Sequence, residues 1–298
     1  MNYAELKTAI RGYVENDFPT INMTDSSTVW SSDDQLATFV KQAEQRIYNS
    51  VQFPSLRKNA VGGTSANNPY LTCPDDFLAP YSLAVYSYAQ PTGTGISGAY
   101  TVTVSDALNI QTGQFVFGTG IATGAQVVSI SGTTVTLNIT NTATVSGVLT
   151  FQSKYFYLLN KDVNFIREAY PIPTGAGNTG RPRHYAIFGP YVVSGTITNE
   201  LSFILGPTPD ASYNVEMHYY YYPESIVTAS TTWLSENFDT VLLYGALREG
   251  YFFIKAEAEI TSILQSKYDE AMSLAKRLGD GMERQDAYRS GQVRYPVK

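Results

Sequence analysis

Cysteine, histidine, charge and long apolar runs are all scarce in this 298-residue sequence. A single cysteine, Cys73, excludes an internal disulfide framework. With no activating cluster around it, the thiol reads as a small buried hydrophobe. The two histidines, His184 and His218, fall on separate predicted strands, without a cysteine or carboxylate at metal-ligand spacing. Each reads as a structural or surface histidine, so no metal and no cofactor is expected. No stretch approaches the about 20 apolar residues that span a bilayer, and the first residues show neither an apolar core nor a cleavage pattern. The expectation is no membrane, and folding in a reducing cytosol. Charged residues are 15% of the chain and the net charge is −6. That balance opposes general binding to nucleic acid and suits a surface that does not hold phosphates.

Catalytic motifs are equally scarce. There is no Walker A motif and no G-x-S-x-G nucleophile elbow. Gly93-Thr94-Gly95-Ile96-Ser97-Gly98 matches the dinucleotide fingerprint letter for letter. That fingerprint needs a strand leading into a helix whose N-terminus faces a pyrophosphate, whereas here Pro91 precedes it and a β-run follows. Asp33-Asp34 lies in a predicted helix first turn, where the helix dipole accounts for it, and Asp75-Asp76 are neighbours in sequence only. Arg181-Pro182-Arg183 has the chemistry to grip an anion or a carboxylate. Placed after the flexible Gly175–Gly180 loop, it is expected in surface or inter-subunit salt bridges. No catalytic residues are assigned.

What is abundant is tyrosine, 23 residues, and helical periodicity at both ends. Residues 3 to 15 form a helix with Leu6, Ile10, Tyr13 and Val14 on one side. A capping box, Ser32 to Gln35, opens a second helix carrying Leu36, Phe39, Val40, Ala43, Ile47 and Val51, and Pro54 ends it. Residues 235 to 278 carry a long amphipathic pattern. Ser235 and Asn237 are N-cap types, Val241, Leu242, Tyr244, Leu247, Tyr251 and Ile254 make a stripe, and Ile260, Ile263, Leu264, Ala271, Leu274, Ala275 and Leu278 continue it. Gly279 is expected to close it. Gly245 and Gly250 predict two helices or one bent helix, with the break near Gly250. Burial of the second stripe is worth about 10 kcal/mol before ordering entropy. Comparable stripes occur in the first 53 residues, so the two ends of the chain are expected to pack together.

Between them the pattern is β. Tyr70–Cys73 and Tyr81–Tyr88 read as strands. So do Tyr155–Leu159, Phe165–Tyr170, Tyr185–Phe188, Leu201–Leu205 and Tyr213–Tyr222, taken as antiparallel. The last alternates Val215, Met217, Tyr219 and Tyr221 with Glu216, His218, Tyr220 and Tyr222, so rings project from both faces and the outer ones need a core layer or a neighbouring subunit to cover them. Residues 91–153 hold one charge, Asp106, and five short β-branched runs between glycine-containing turns. They read as a small inserted all-β domain within a core of 1–90 and 154–298. Beyond Gly279 the chain turns polar and basic. Residues 284–298 read as a non-helical arm that orders on a partner or frays.

The order of several short motifs resembles the head-to-tail adaptor proteins of short-tailed bacteriophages, of the tail tubular protein A type. The motifs are Phe53-Pro54-Ser55-Leu56, Leu71-Thr72-Cys73-Pro74-Asp75-Asp76-Phe77, the Gly180–Ala186 segment of the form G-R-P-R-x-Y-A, and Gly206-Pro207-Thr208-Pro209. After them come Tyr222-Pro223 and Trp233-Leu234 leading into the Phe238–Leu247 helix. The resemblance covers most of 1–90 and 154–290, while Gly118–Leu137 looks like an add-on β-module of phage structural proteins. It implies an α+β fold, with a helical bundle from the N- and C-terminal helices beside an antiparallel β-domain. It also implies a virion protein, made in the host cytoplasm and placed at the head-tail junction. There it would form a homo-oligomeric ring of twelve copies between a portal protein and a tail nozzle protein, around a channel through which DNA passes without specific binding. The portal-side contact is expected in the basic arm, at Arg284, Tyr288, Arg289, Arg294, Tyr295 and Lys298. Inter-subunit or nozzle contact is expected at Arg181, Arg183, Tyr220 and Tyr222. Two other readings make different predictions. A receptor- or carbohydrate-binding tail component predicts that fragment 91–153 binds glycan or host cells. A hydrolase predicts dispersed carboxylates gathered in a deep pocket with raised pKa values.

Overall fold

A computed structural model describes residues 1–22, 29–51, 53–175, 177–193, 195–199 and 201–290, of which 54, 191–193, 197–199 and 279–290 are described by backbone alone. The helices, in chain order, are α1 (Tyr3–Val14), α2 (Ser32–Ser50), α3 (Val163–Ala169), α4 (Ile226–Ala229), α5 (Trp233–Asn237), α6 (Asp239–Phe253) and α7 (Ala258–Ser290). The fold is α+β. The chain divides into two compact units, Met1–Arg57 with Tyr221–Lys298, and Lys58–Tyr220.

The first unit is helical and is built from both ends of the chain, as the two stripes require. α6 packs against α1, α2 and α7. Leu6, Ile10, Leu36, Phe39, Val40, Ala43, Ile47, Val241, Leu242, Ala246 and Leu247 are all buried. Backbone bonds tie the ends together: the Tyr3 amide donates to Ser230 O at 2.9 Å, and the Met1 ammonium donates to Ser235 O at 2.9 Å. Phe18, Phe39 and Phe253 cluster with centroids 5.2–6.4 Å apart. Phe53, from the Phe-Pro-x-Leu turn, stacks on Trp233 and Phe238, so motifs about 180 residues apart in sequence meet in one core.

Several local expectations are corrected. The α2 cap is Ser31 with Asp34, one residue earlier than Ser32 with Gln35. Ser31 is extended, and its Oγ and the Asp34 carboxylate exchange hydrogen bonds with each other's amide. Gln35 is instead buried and donates to Pro19 O and Trp30 O. Ser235 caps reciprocally with Thr232 at the start of α5, and α6 begins after Phe238 without a side-chain cap. Gly250 lies inside α6, and the break falls beyond it, where Lys255 takes a left-handed conformation (φ 54°). Gly279 does not end α7, which continues to Ser290 through residues also expected to be non-helical. Each glycine costs about 1 kcal/mol, and the helix formers Met282, Glu283, Arg284, Gln285 and Ala287 offset that locally. The α7 stripe is only partly buried. Tyr268, Ala271, Met272 and Ala275 face the core, while Ile260, Ile263, Leu274 and Leu278, on the adjoining face, are exposed.

Apart from a two-stranded sheet of Ile21–Asn22 with Val29–Trp30 in the first unit, the sheets lie in the second. In one, strand order is Phe156–Tyr157, Ala79–Tyr86, Asn214–Tyr220, Arg57–Gly63. In another it is Leu159–Asn160, His184–Phe188, Ser202–Gly206, Tyr70–Thr72. Val215, Met217 and Tyr219 point inward, as the alternation requires. Phe77 and Phe203 pack with Tyr219 and Tyr185. Leu159–Asn160 pairs parallel, not antiparallel, with His184–Phe188. The predicted strand at 165–170 is α3: the Asp162 carboxylate caps it, and Ile166 turns inward against Ala186 and Ile204. Residues 88–152 supply a five-stranded and a three-stranded sheet. These enclose a hydrophobic cluster of their own, from Val102 to Phe151.

Two helical glycines make a paired test. A Cβ at Gly245 would sit 3.1 Å from the Ala43 Cβ, whereas one at Gly250 has its nearest neighbour, the Phe18 ring, at 3.5 Å. Gly245→Ala is therefore expected to destabilise by about 1 kcal/mol despite its gain in helix propensity. Gly250→Ala is expected to stabilise by about 0.5–1 kcal/mol. Denaturant unfolding checks the opposite signs.

Glu44 makes another. It is buried, and its carboxylate accepts the Ile226 amide at 2.9 Å. Burial outweighs the hydrogen bonds from Ile226 and Ser225 and raises its pKa. The folded state therefore binds this proton more tightly than the unfolded chain, and stability falls as pH rises above the ordinary glutamate range. Glu44→Gln removes that slope. Its stability relative to the parent protein should rise between pH of about 4 and about 7, and unfolding at the two pH values measures it.

Candidate interaction surfaces

The reactive residue types are each held by ordinary structural contacts. Cys73 is buried, and burial pushes its thiol up to about 12. His184 Nδ1 lies 3.1 Å from the Tyr170 hydroxyl, and burial, with Lys161 and Arg183 nearby, lowers its pKa. His218 Nδ1 lies 3.3 Å from Ser82 Oγ. Asp76 accepts the Lys58 ammonium and the Tyr219 hydroxyl, each at 2.7 Å. Asp33 receives Lys7 and Arg11, and Asp34 serves the α2 cap. The glycine-rich fingerprint contains a strand, Thr92–Gly95, paired antiparallel with Thr101–Val104 and Val145–Val148. It turns at Gly98 (φ 77°) rather than entering a helix. Among the described residues no three His, Cys, Asp or Glu side chains group to hold a metal ion, and no helix is long and apolar enough to cross a membrane.

The surfaces are more informative. α7 has 33 residues, about 50 Å at 1.5 Å per residue, against 15 for α6. Its exposed face runs Ile260, Ile263, Lys267, Glu270, Leu274, Leu278, at spacings of three and four. Ile263 and Leu274 are 56% and 57% exposed, and Lys267 pairs with Glu270. At the α6–α7 elbow Phe252 is 77% exposed, beside a 660 Å³ cavity lined by Trp30, Phe39 and Phe253. Periodicity marked the α7 residues as apolar but assigned them to the core. Phe252 had no periodic signal at all.

The expected contact residues are dispersed. Tyr220 makes an edge contact with Tyr81 at 6.0 Å. Tyr222, in the helical unit, donates to Asn49 Oδ1 and lies against Tyr48. Arg181 stacks on Phe156, its Cζ 3.3 Å from the ring centroid, and shares a 410 Å³ cavity with Arg183. In the basic arm, Arg284, Tyr288 and Arg289 lie on the α7 backbone, with their side chains outside the described residues. Arg294, Tyr295 and Lys298 lie outside the described residues altogether.

Compared with known proteins, the chain is matched over residues 1–295 by the family model described as SU10 adaptor protein. No curated protein matches it. The matched span takes in both ends that build the helical unit, the sheets, and residues 88–152. The chain therefore belongs to the SU10 adaptor protein family of bacteriophage adaptors, structural components of the virion.

Proposed function

We propose that the protein forms a ring of twelve copies at the head-tail junction. The ring joins the portal protein to the tail nozzle protein and leaves a channel for DNA. The single observation that carries this reading is the exposed apolar face of α7. Four aliphatic side chains aligned on one helix are kept from water only by another protein surface. Repetition of one such contact around an axis closes a ring. The net charge of −6 suits a wall that does not grip a passing polyanion.

The role is mechanical. The basic arm, with Arg284, Tyr288, Arg289, Arg294, Tyr295 and Lys298, makes the portal-side contact through charge-assisted bonds and ring burial. Arg181, Arg183, Tyr220 and Tyr222 serve contacts between subunits or to the nozzle. Residues 91–153 are a domain added to a core formed by 1–90 and 154–298. The protein is made in the host cytoplasm and acts without a cofactor.

Electron microscopy of the purified protein mixed with its portal is expected to show an added ring stacked on the portal. Portal particles with no added layer contradict the reading. Deletion of residues 284–298 should abolish portal attachment while circular dichroism stays that of a folded protein. Undiminished attachment overturns the assignment of the arm.

A further inference from the structure

We infer that the Arg181–Arg183 cavity is a receptor for a carboxylate side chain presented by an acidic peptide segment of a partner protein. This deepens the contact role proposed for these two residues. It is tested without portal, nozzle or ring, so its failure is separable from theirs.

The backbone around the two arginines is fixed on both sides. The Gly180 amide donates to Thr208 O at 2.8 Å, the Arg183 amide donates to Gly206 O at 2.9 Å, and Arg183 O accepts the Leu159 amide at 3.0 Å. Pro182 between them is buried and restricts the chain further. Arg181 stands at a bend with Arg183 two residues on, and both line one cavity.

The Arg181 guanidinium is oriented by an aromatic face rather than by an anion. It lies flat on Phe156, and its Nε is buried with no hydrogen-bond partner among the described residues. Neither arginine forms an ion pair among the described residues. The other walls, Tyr170, Ile172, Asn178 and Pro207 among them, carry no acid. Lys161 and Arg183 both act on His184 and, with burial, hold its imidazole toward the neutral form, so that side supplies no anion. The carboxylate that acts on Arg181 is Asp210, which already accepts the Tyr213 hydroxyl at 2.7 Å. Burial works against the Arg181 cation, and Arg183 adds to that pressure. An incoming carboxylate relieves both effects at once, and a planar fork held in place is suited to receive it bidentately.

A nucleic-acid phosphate is the competing anion. The cavity is a 410 Å³ recess, with partly apolar walls that admit one side chain rather than a continuous phosphodiester track.

The full-length protein, labelled with nitrogen-15, is titrated with a capped Gly-Glu-Gly-Glu-Gly peptide, its glutamine counterpart, and a short oligothymidylate, following arginine Nε–H resonances. The glutamate peptide is expected to shift the Arg181 resonance saturably up to about 10 mM. The glutamine peptide should not shift it, and salt should weaken the effect. Arg183→Gln should weaken binding about tenfold. Arg181→Lys, which keeps the charge and removes the fork, should weaken binding similarly, read at the Arg183 Nε–H resonance, with the remaining spectrum unchanged. Equal response to both peptides, no response to either, or preference for the oligothymidylate overturns the inference.

Discussion

The close approach of α2 and α6 is the contact on which the rest depends. Gly245 leaves room for Ala43 at a distance where one extra methyl group would collide. There α2, from the first fifth of the chain, and α6, from the last, come together in a common core. Ile47, Val40 and Phe39 from one side and Leu242, Ala246 and Leu247 from the other are buried together as a consequence. The contact is non-local, so the whole intervening chain must be looped out before it forms. That loop is the second unit, which has its own aromatic core around Phe77, Phe203 and Tyr219. Either unit has apolar contacts enough to be ordered by itself. This is the usual requirement when one domain interrupts another.

A protein organised this way leaves its function on its surfaces. The buried polar groups that might have marked an active site are instead committed to the fold. Glu44 holds the α4 amide at Ile226, Asp76 joins Lys58 to Tyr219, and Gln35 spans two loop carbonyls. The surface groups left over among the described residues are aliphatic side chains along α7, an aromatic ring at its elbow, and a guanidinium on an aromatic face without a counter-ion. These are the groups that binding to another protein satisfies, through burial of apolar area and through charge-assisted hydrogen bonds. Membership of a phage adaptor family accounts for why such groups occur together on one chain.

Much of the helical unit was legible in the sequence because burial along a helix leaves a period of 3.6. Leu6, Ile10 and Val14 and the stripe from Leu36 to Val51 are buried as read, while Tyr13, placed on the same side, is exposed. The misreadings share a physical cause, namely that a local signal was decided by a distant contact. Phe165–Tyr170 is rich in β-formers, yet Asp162 caps it and Ile166 has a sheet to lie on, so it is helical. Glycine propensity predicts two helices with a break near Gly250, and the two helices part a few residues on, at Lys255, because Gly250 itself packs beside Phe18 inside α6. The α7 stripe was read as wholly buried because periodicity reports that residues are apolar and not what covers them. For the candidate surfaces the sequence showed which residue types were present and not their neighbours. Arg181 and Arg183 were identifiable as an anion-binding pair, but Phe156, which orients one of them, is 25 positions away and has no motif to announce it.

Native-state hydrogen exchange tests most directly whether the two ends form one cooperative body. If they do, the slowest amides of α2 and of α6 open together, with the same free energy and the same dependence on denaturant. Gly245→Ala should lower both by an equal amount. Amides of α2 that exchange by a separate, much less protected opening than those of α6 would contradict the account.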